Sequence, residues 1–401
     1  MKKIKDIKEF KTLVEKTESL KGYRKPIGFG IARVDRGQLN NEKILQATFP
    51  IVNWKENYGS AAVFIAALLD SGVEIDFNES EFVCEIKKKF IKKAFKAFYP
   101  YLGEAEGEDH KNVQVIKTLH WMSEIDDLGD DYRVVFIFED EAPKSVEVVY
   151  LKLYALSLRK ADLRSLNLDG AFGILENVAW SGGVPIELDW LRANEIELKL
   201  EGSYPNIESV DKFPRFLAHI IPEDNTRILD SSKVRMGARL SAGTTVMPGA
   251  SYINFNAGTT GPVMVEGRIS SSAIVGAGSD VGGGASILGV LSGTDGNPVS
   301  IGKNTLLGAN SVTGIPLGDG CIVDAGIAIL EGTKVAIKPE ELKKIKDANP
   351  NFDAKESGEI QFFKGLELAG LNGIHFRQDS TNGMILALRS KREVKLNSQL
   401  H

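Results

Sequence analysis

Glu266 stands in the run Met264-Val265-Glu266-Gly267-Arg268, a carboxylate followed by a glycine and then a guanidinium. A carboxylate can take the proton of an attacking amine or hydroxyl, or can itself attack an activated carbonyl. The glycine lets a ligand approach the backbone, and the arginine can hold an anion. A solvated surface carboxylate fits the same five residues, so the run alone leaves both readings open. Seven carboxylates lie between residues 227 and 335: Asp230, Glu266, Asp280, Asp295, Asp319, Asp324 and Glu331. The histidines, His110, His120, His219, His375 and His401, all fall outside that stretch. Proton transfer within it would therefore rest on a carboxylate, and a three-imidazole zinc site cannot be assembled from it. Arg235 and Arg239 are either two solvated side chains or a clamp for an anionic substrate. Asp280 lies in Gly276-Ala277-Gly278-Ser279-Asp280-Val281-Gly282-Gly283-Gly284, which has neither the spacing nor the following helix of a dinucleotide-binding turn.

These residues are embedded in a pattern with a period of six. Val234, Leu240, Val246 and Tyr252 form one run; Val263, Ile269, Val275, Val281 and Ile287 a second; Leu317, Val323, Ile329 and Val335 a third; Ile301 and Leu307 a short fourth. Six matches neither the 3.6 of a helix nor the 2 of an ordinary strand. It is the period of a hexapeptide β-helix, whose triangular coils point one aliphatic residue per side into the core. Of the 40 glycines, 21 fall between Arg227 and Val335, as tight corners require. The beat breaks between Tyr252 and Val263, between Ile287 and Ile301, and between Leu307 and Leu317. The first two breaks, at residues 254–260 and 291–298, are expected to be polar loops projecting from a corner, where solenoids commonly build binding sites. Many proteins of this architecture are acyltransferases, often with a histidine base that this stretch lacks.

The rest of the chain must carry and close the coils. Strands are expected at 27–34, 48–54 and 134–138, and helices at 60–70, 81–98, 145–160 and 184–200, the last started by Pro185. Ile4, Ile7, Phe10, Leu13 and Val14 are spaced for an amphipathic helix; no continuous apolar run follows, so no signal peptide is expected. Beyond Val335, a helix at 339–347 and strands at 360–363, 374–377 and 384–388 would cover the open coil end. The chain thus reads as an α/β N-terminal region, a left-handed parallel β-helix and a small C-terminal α/β cap. Its expected domains are 1–105, 106–226, 227–335 and 336–401. A formal charge of −5 and a pI near 5.8 give no pull toward nucleic acid or membrane surfaces. Lys87, Lys88, Lys89, Lys92 and Lys93 read as a solvated helix face or as a patch for a polyanion. Cys84 and Cys321 have no partner motif, which suits a reducing cytoplasm, and no apolar stretch reaches membrane-spanning length.

Several stretches are specific. They are Arg235-Met236-Gly237-Ala238, Gly243-Thr244-Thr245-Val246-Met247, Asn254-Phe255-Asn256-Ala257-Gly258-Thr259, Met264-Val265-Glu266-Gly267-Arg268-Ile269-Ser270, Gly278-Ser279-Asp280-Val281-Gly282-Gly283-Gly284-Ala285-Ser286 and Leu307-Gly308-Ala309-Asn310-Ser311. They closely resemble the tetrahydrodipicolinate N-succinyltransferases, enzymes of the succinylase route to diaminopimelate and lysine. Leu166-Asn167-Leu168-Asp169-Gly170-Ala171-Phe172-Gly173, Asp211-Lys212-Phe213-Pro214-Arg215-Phe216-Leu217, Ile374-His375-Phe376-Arg377 and the final Leu396-Asn397-Ser398-Gln399-Leu400-His401 are similar to its long-chain bacterial branch. The resemblance implies that Glu266 is catalytic, as a nucleophile or general base. It implies that Arg268, Gly283, Ser286, Ala309, Gly332 and Arg377 contact the co-substrate succinyl-CoA, with Asp324-Ala325 standing where the family has Glu-Ala. It also implies a homotrimer whose neighbouring coils share the pocket, with no permanently bound cofactor. Lys233 and Ala250 occupy positions where some relatives ligate an axial metal, so no metal is expected.

Three rival readings remain at this level. One is an acyltransferase of the same fold with another donor such as acetyl-CoA. Another is a non-catalytic hexapeptide scaffold or binding protein, against which Glu266 and the polar loops argue. The third is a metal-dependent hydratase, disfavoured by the missing coil histidines.

Overall fold

A computed structural model describes residues 2–104, 110–125, 128–290, 296–355, 357–391 and 394–397. The chain forms two compact units, Met1–Ala155 with Lys160–Pro214, and Leu156–Arg159 with Arg215–His401. The expected divisions at 105 and 335 are finer than this one.

The first unit runs α1 (Ile7–Glu18), β1 (Gly28–Arg36), β2 (Ile44–Thr48), β3 (Val52–Trp54), α2 (Tyr58–Ser71), β4 (Glu81–Glu85), α3 (Lys88–Ala97), α4 (Lys111–Glu124), β5 (Tyr132–Ile137) and α5 (Val146–Ser157). The strands pair antiparallel in the order β2-β1-β5-β4, with β3 also on β1. Phe29, Ile31, Val134 and Phe136 of the sheet pack against Phe64 and Leu68 of α2, Phe90 and Ile91 of α3 and Ile116 and Leu119 of α4. A helix was expected over 81–98, but Glu81–Glu85 is a strand. The apolar run Phe82, Val83, Cys84 lets it close the sheet against β5, and only Lys88 onward turns helical. Its lysines are partnered: Lys93 pairs with Asp70, Lys92 with Glu124 at 3.3 Å, and Lys89 Nζ donates to the Ser71 carbonyl at 2.9 Å. This favours the solvated-face reading. The unit continues through α6 (Ala171–Ile174), β6 (Val178–Ser181), β7 (Val184–Glu187), α7 (Leu188–Glu201) and β8 (Ser209–Asp211). Pro185 lies in β7 rather than starting the helix. β7 is an edge strand, where a residue without an N–H is tolerated.

The second unit is a parallel β-helix. One column of stacked parallel strands is Arg227–Ile228, Thr244–Val246, Val263–Val265, Ser279–Val281, Leu306–Leu307 and Ile322–Val323. A second is Tyr252–Ile253, Arg268–Ile269, Ser286–Ile287, Val312–Thr313 and Ala328–Ile329. The third is Gly258–Thr259, Ile274–Val275 and Ser300–Ile301. In-register residues form buried stacks down the core: Val246, Val265, Val281, Leu307 and Val323 on one side, and Ile253, Ile269, Ile287, Thr313 and Ile329 on the next.

The observed phase corrects the sequence reading in two places. Ile253, not Tyr252, points inward, and residues 254–260 do not project as a loop. They turn a corner and form the first strand of the third column. Thr259 fills the core position six residues after Ile253, its Oγ1 hydrogen-bonded to Thr244 Oγ1 at 2.7 Å. Thr313 fills the third gap, between Leu307 and Leu317, in the same way, its hydroxyl donating to the Ile315 carbonyl at 2.9 Å. The second expected loop, 291–298, falls between Ser286–Ile287 of the second column and Ser300–Ile301 of the third, and its residues 291–295 lie outside the described residues. Past the coils, Lys334–Ile337 pairs with Gln361–Lys364 and Ile385–Arg389, helix Pro339–Ala348 follows, and Ile374–Gln378 adds in parallel to Ile322–Val323. No helix among the described residues is long and apolar enough to cross a membrane.

Candidate active site

The corner between the first and second columns gathers most of the expected site residues. Core spacing is six along most of the coil but only four from Val265 to Ile269, so Glu266, Gly267 and Arg268 cut that corner short. Successive coils then stack closely through backbone hydrogen bonds. Glu266 N donates to the Val281 carbonyl at 2.8 Å, Asn310 N to that of Gly283 at 2.9 Å, and Gly326 N to that of Ala309 at 2.9 Å. Glycine is required in this stack. A Cβ on Gly267 would strike the Ala285 carbonyl, one on Gly282 would lie 2.6 Å from the Leu307 oxygen, and one on Gly308 2.6 Å from Ala325 N. The result is a narrow track in which Glu266, Gly283, Ala309 and Ala325 occupy successive rungs.

Glu266 is half-buried, and its Oε2 would be 3.6 Å from a Cβ on Gly283. No hydrogen bond or ion pair reaches its carboxylate from the described residues. Among the other coil carboxylates Asp230 and Asp319 are already engaged, whereas Glu331, like Glu266, is half-buried and its carboxylate is reached by no hydrogen bond or ion pair from the described residues. The Ser232 hydroxyl and N–H hold Asp230 below its ordinary range, and Asp319 accepts from Lys303 N at 2.7 Å. Asp280 is a strand residue of the first column, and Asp295 lies outside the described residues. Arg268 projects from the second column, and its Nε and Nη2 both reach Ser286 Oγ, the former at 2.9 Å. Asp324, at the track's far end, bonds His375 Nε2 through Oδ1 at 2.7 Å and faces Arg377 Nε through Oδ2 at 3.5 Å.

Such a track, with an unpartnered carboxylate at one end and an exposed guanidinium at the other, is suited to a long acyl donor with an anionic tail. Comparison with known proteins decides the family. Residues 8–173 match the tetrahydrodipicolinate N-succinyltransferase N-terminal model, 175–215 its middle model, and 298–331 the hexapeptide repeat of succinyl-transferase. Two relatives named 2,3,4,5-tetrahydropyridine-2,6-dicarboxylate N-succinyltransferase are similar over nearly the whole chain. The one from a Sulfurovum species is 70% identical over 98% of this chain and 97% of its own. The one from Sulfurimonas denitrificans is 63% identical over 100% of both. The chain belongs to the tetrahydrodipicolinate N-succinyltransferases. A Campylobacter jejuni crystal structure, described as a 2,3,4,5-tetrahydropyridine-2-carboxylate N-succinyltransferase, superposes with a TM-score of 0.91 at 59% identity, over 98% of this chain and 100% of that one.

Within this N-succinyltransferase, the corner brings together Glu266, Gly283, Ala309, Asp324, Ala325 and Arg377, with Arg268 and Ser286 on the adjoining strands. Gly332 is not among them. It follows Ala328–Ile329 at the next corner, exposed, with no atom within 4 Å of where its Cβ would be. Arg235 and Arg239 also lie away from the track. Arg235 Nη1 donates to Asn254 Oδ1 at 3.3 Å, and its guanidinium lies 5.9 Å from the Tyr252 ring centroid. Lys233 Nζ donates to the Gly249 carbonyl at 2.8 Å. Among the described residues no three His, Cys, Asp or Glu gather as a metal site. His375 was not assigned from sequence. Its spacing of two from Arg377, which puts both on one face of a strand, was the available signal.

Proposed function

We propose that Glu266 performs the chemistry of succinyl transfer from succinyl-CoA to tetrahydrodipicolinate, reacting in its hydrated or ring-opened form. As a member of its family the chain is an N-succinyltransferase of lysine and diaminopimelate biosynthesis. The observation that carries the assignment is the half-buried, unpartnered Glu266 carboxylate over Gly283, beside a guanidinium already oriented by Ser286. The amine nitrogen forms its bond to the thioester carbon, the C–S bond breaks, and the CoA thiolate leaves. Glu266 either accepts the amine proton or attacks first to form an acyl anhydride that the amine then opens. The thioester brings its own activation, so the protein has mainly to orient the partners and manage one proton. Arg268, Gly283, Ser286, Ala309, Asp324, Ala325, Gly332 and Arg377 form the acyl-CoA site in this reading.

The same reading takes the β-helix as left-handed, with 227–335 carrying the chemistry and 336–401 capping the coil end. The protein works as a cytoplasmic homotrimer with pockets shared between neighbours, without a permanent cofactor. A thiol-release assay with succinyl-CoA and tetrahydrodipicolinate, run in parallel with acetyl-CoA, tests the donor. In that assay Glu266→Gln should preserve folding and lower turnover by roughly 10²–10⁴. A rate within a few-fold of the parent would move the catalytic assignment to Asp280 or Asp324.

A further inference from the structure

We infer that His375 is a positioning residue of the acyl-CoA track: it pins Asp324, and through Asp324 it sets the direction of the Arg377 guanidinium. The inference rests on the reading of the Glu266 corner as the succinyl-CoA site. Strand Ile374–Gln378 occupies the place of one further coil, pairing in parallel with Ile322–Val323. Phe376 continues the buried stack below Val323, and the period of two turns His375 and Arg377 outward on either side of it. The backbone is locked at this point, Asp324 N donating to the Phe376 carbonyl at 3.0 Å.

The short side chain of Asp324 then spends both oxygens on the protein. Oδ1 is 2.7 Å from His375 Nε2, in the range of a charge-assisted bond, and Oδ2 faces Arg377 Nε. With Nε drawn inward, the two terminal nitrogens of Arg377 form the outward fork, and the side chain is 60% exposed. A fork held this way matches two oxygens of a phosphate. The charged groups at the cluster are Asp324, His375 and Arg377. The neighbouring strand Ile385–Arg389 sets Leu388 opposite His375 and Leu386 opposite Arg377. Four strand spacings separate the rung of Glu266 from that of Arg377, about 19 Å at ~4.8 Å each. That span suits an extended thioester with its acyl end at Glu266 and its anionic end at Arg377. Without the His375 bond, Asp324 is free to rotate about its single Cβ, and Arg377 loses the partner that aims it.

The test is steady-state thiol release by the full-length protein. His375→Leu, Asp324→Asn and Arg377→Ala should each raise the KM for succinyl-CoA about tenfold, with kcat within about twofold. His375→Gln, which still presents an N–H donor, should recover most of the loss. The pair His375→Leu with Arg377→Ala should be no worse than Arg377→Ala alone, because the histidine acts only through the arginine. A parental KM in His375→Leu, or full additivity in the pair, overturns the positioning role while leaving Arg377 in the site. A parental KM in Arg377→Ala removes the reading of the track and this inference together. If His375→Leu does not fold, Asp324→Asn in the same cycle with Arg377→Ala decides the matter.

Discussion

At the scale of the residue, the proposed site leaves one charge free and restrains two others. Glu266 has no protein partner among the described residues, whereas Arg268 is forked onto Ser286 and Arg377 is anchored by Asp324. A restrained guanidinium loses less conformational freedom when it meets an anion. Arg268→Ala should therefore weaken succinyl-CoA binding by about 1.5–3 kcal/mol, the range for hydrogen bonds to charged groups. Ser286→Ala should cost less, because it removes the aim and leaves the charge. Calorimetric titration of both variants checks the order. Equal affinity of Arg268→Ala and the parent would take Arg268 out of the site. Glu266 and Arg268 stand out in the sequence because Glu-Gly-Arg is a local arrangement, but the run fits a solvated corner equally well and their proposed roles come from the family resemblance. The Asp324–His375 bond was not, since 51 residues separate its ends and only the strand pairing brings them together.

At the scale of the element, the period of six identified the β-helix, but the coil register was hidden by residues that break the apolar rule. Thr259 and Thr313 take core positions while satisfying their hydroxyls locally, so an aliphatic beat does not register them and puts Tyr252 inward where Ile253 lies, whereas Val263 is buried as expected, together with Val265. The short corner at Glu266 is hidden because buried Val263 lies six residues before Ile269 and keeps the beat unbroken, although this corner gathers most of the proposed site residues. Glu81–Glu85 shows the companion difficulty, a five-residue strand next to a helix that a single helical window absorbs. Glycine stacking at the corner makes a direct prediction. In Gly308→Ala the new methyl group would lie 2.6 Å from Ala325 N and 2.8 Å from the Val323 carbonyl. Both are backbone atoms, so the coils must separate, at a cost of about 1–3 kcal/mol. Gly332→Ala meets open space and should leave the melting temperature near the parent's, even if it weakens succinyl-CoA binding. Comparable thermal destabilisation of the two variants would show that the corner is not closely stacked.

At the scale of the whole molecule, the single chain exposes large apolar side chains that water disfavours. Ile196 and Leu200, one turn apart on α7, are 78% and 84% exposed, and Ile221 is 93% exposed. Ile196 and Leu200, adjacent on one helix face, make the kind of apolar surface that an assembly would cover. Triangular coils set around an axis parallel to the solenoid make a heterologous contact that closes as a ring of three. That arrangement would also account for Gly332, which lies on a different corner from Glu266 and could serve a neighbour's track. Light scattering at micromolar concentration should therefore give three times the 43.8 kDa chain mass. Ile221→Asp, which places a charge on the most exposed of the three, should shift the mass toward the single chain and lower thiol release with it. Turnover per chain should then rise with protein concentration as the ring re-forms, a dependence that a site complete within one chain would lack. A monomeric mass with full, concentration-independent activity would overturn both the trimer and the shared pocket.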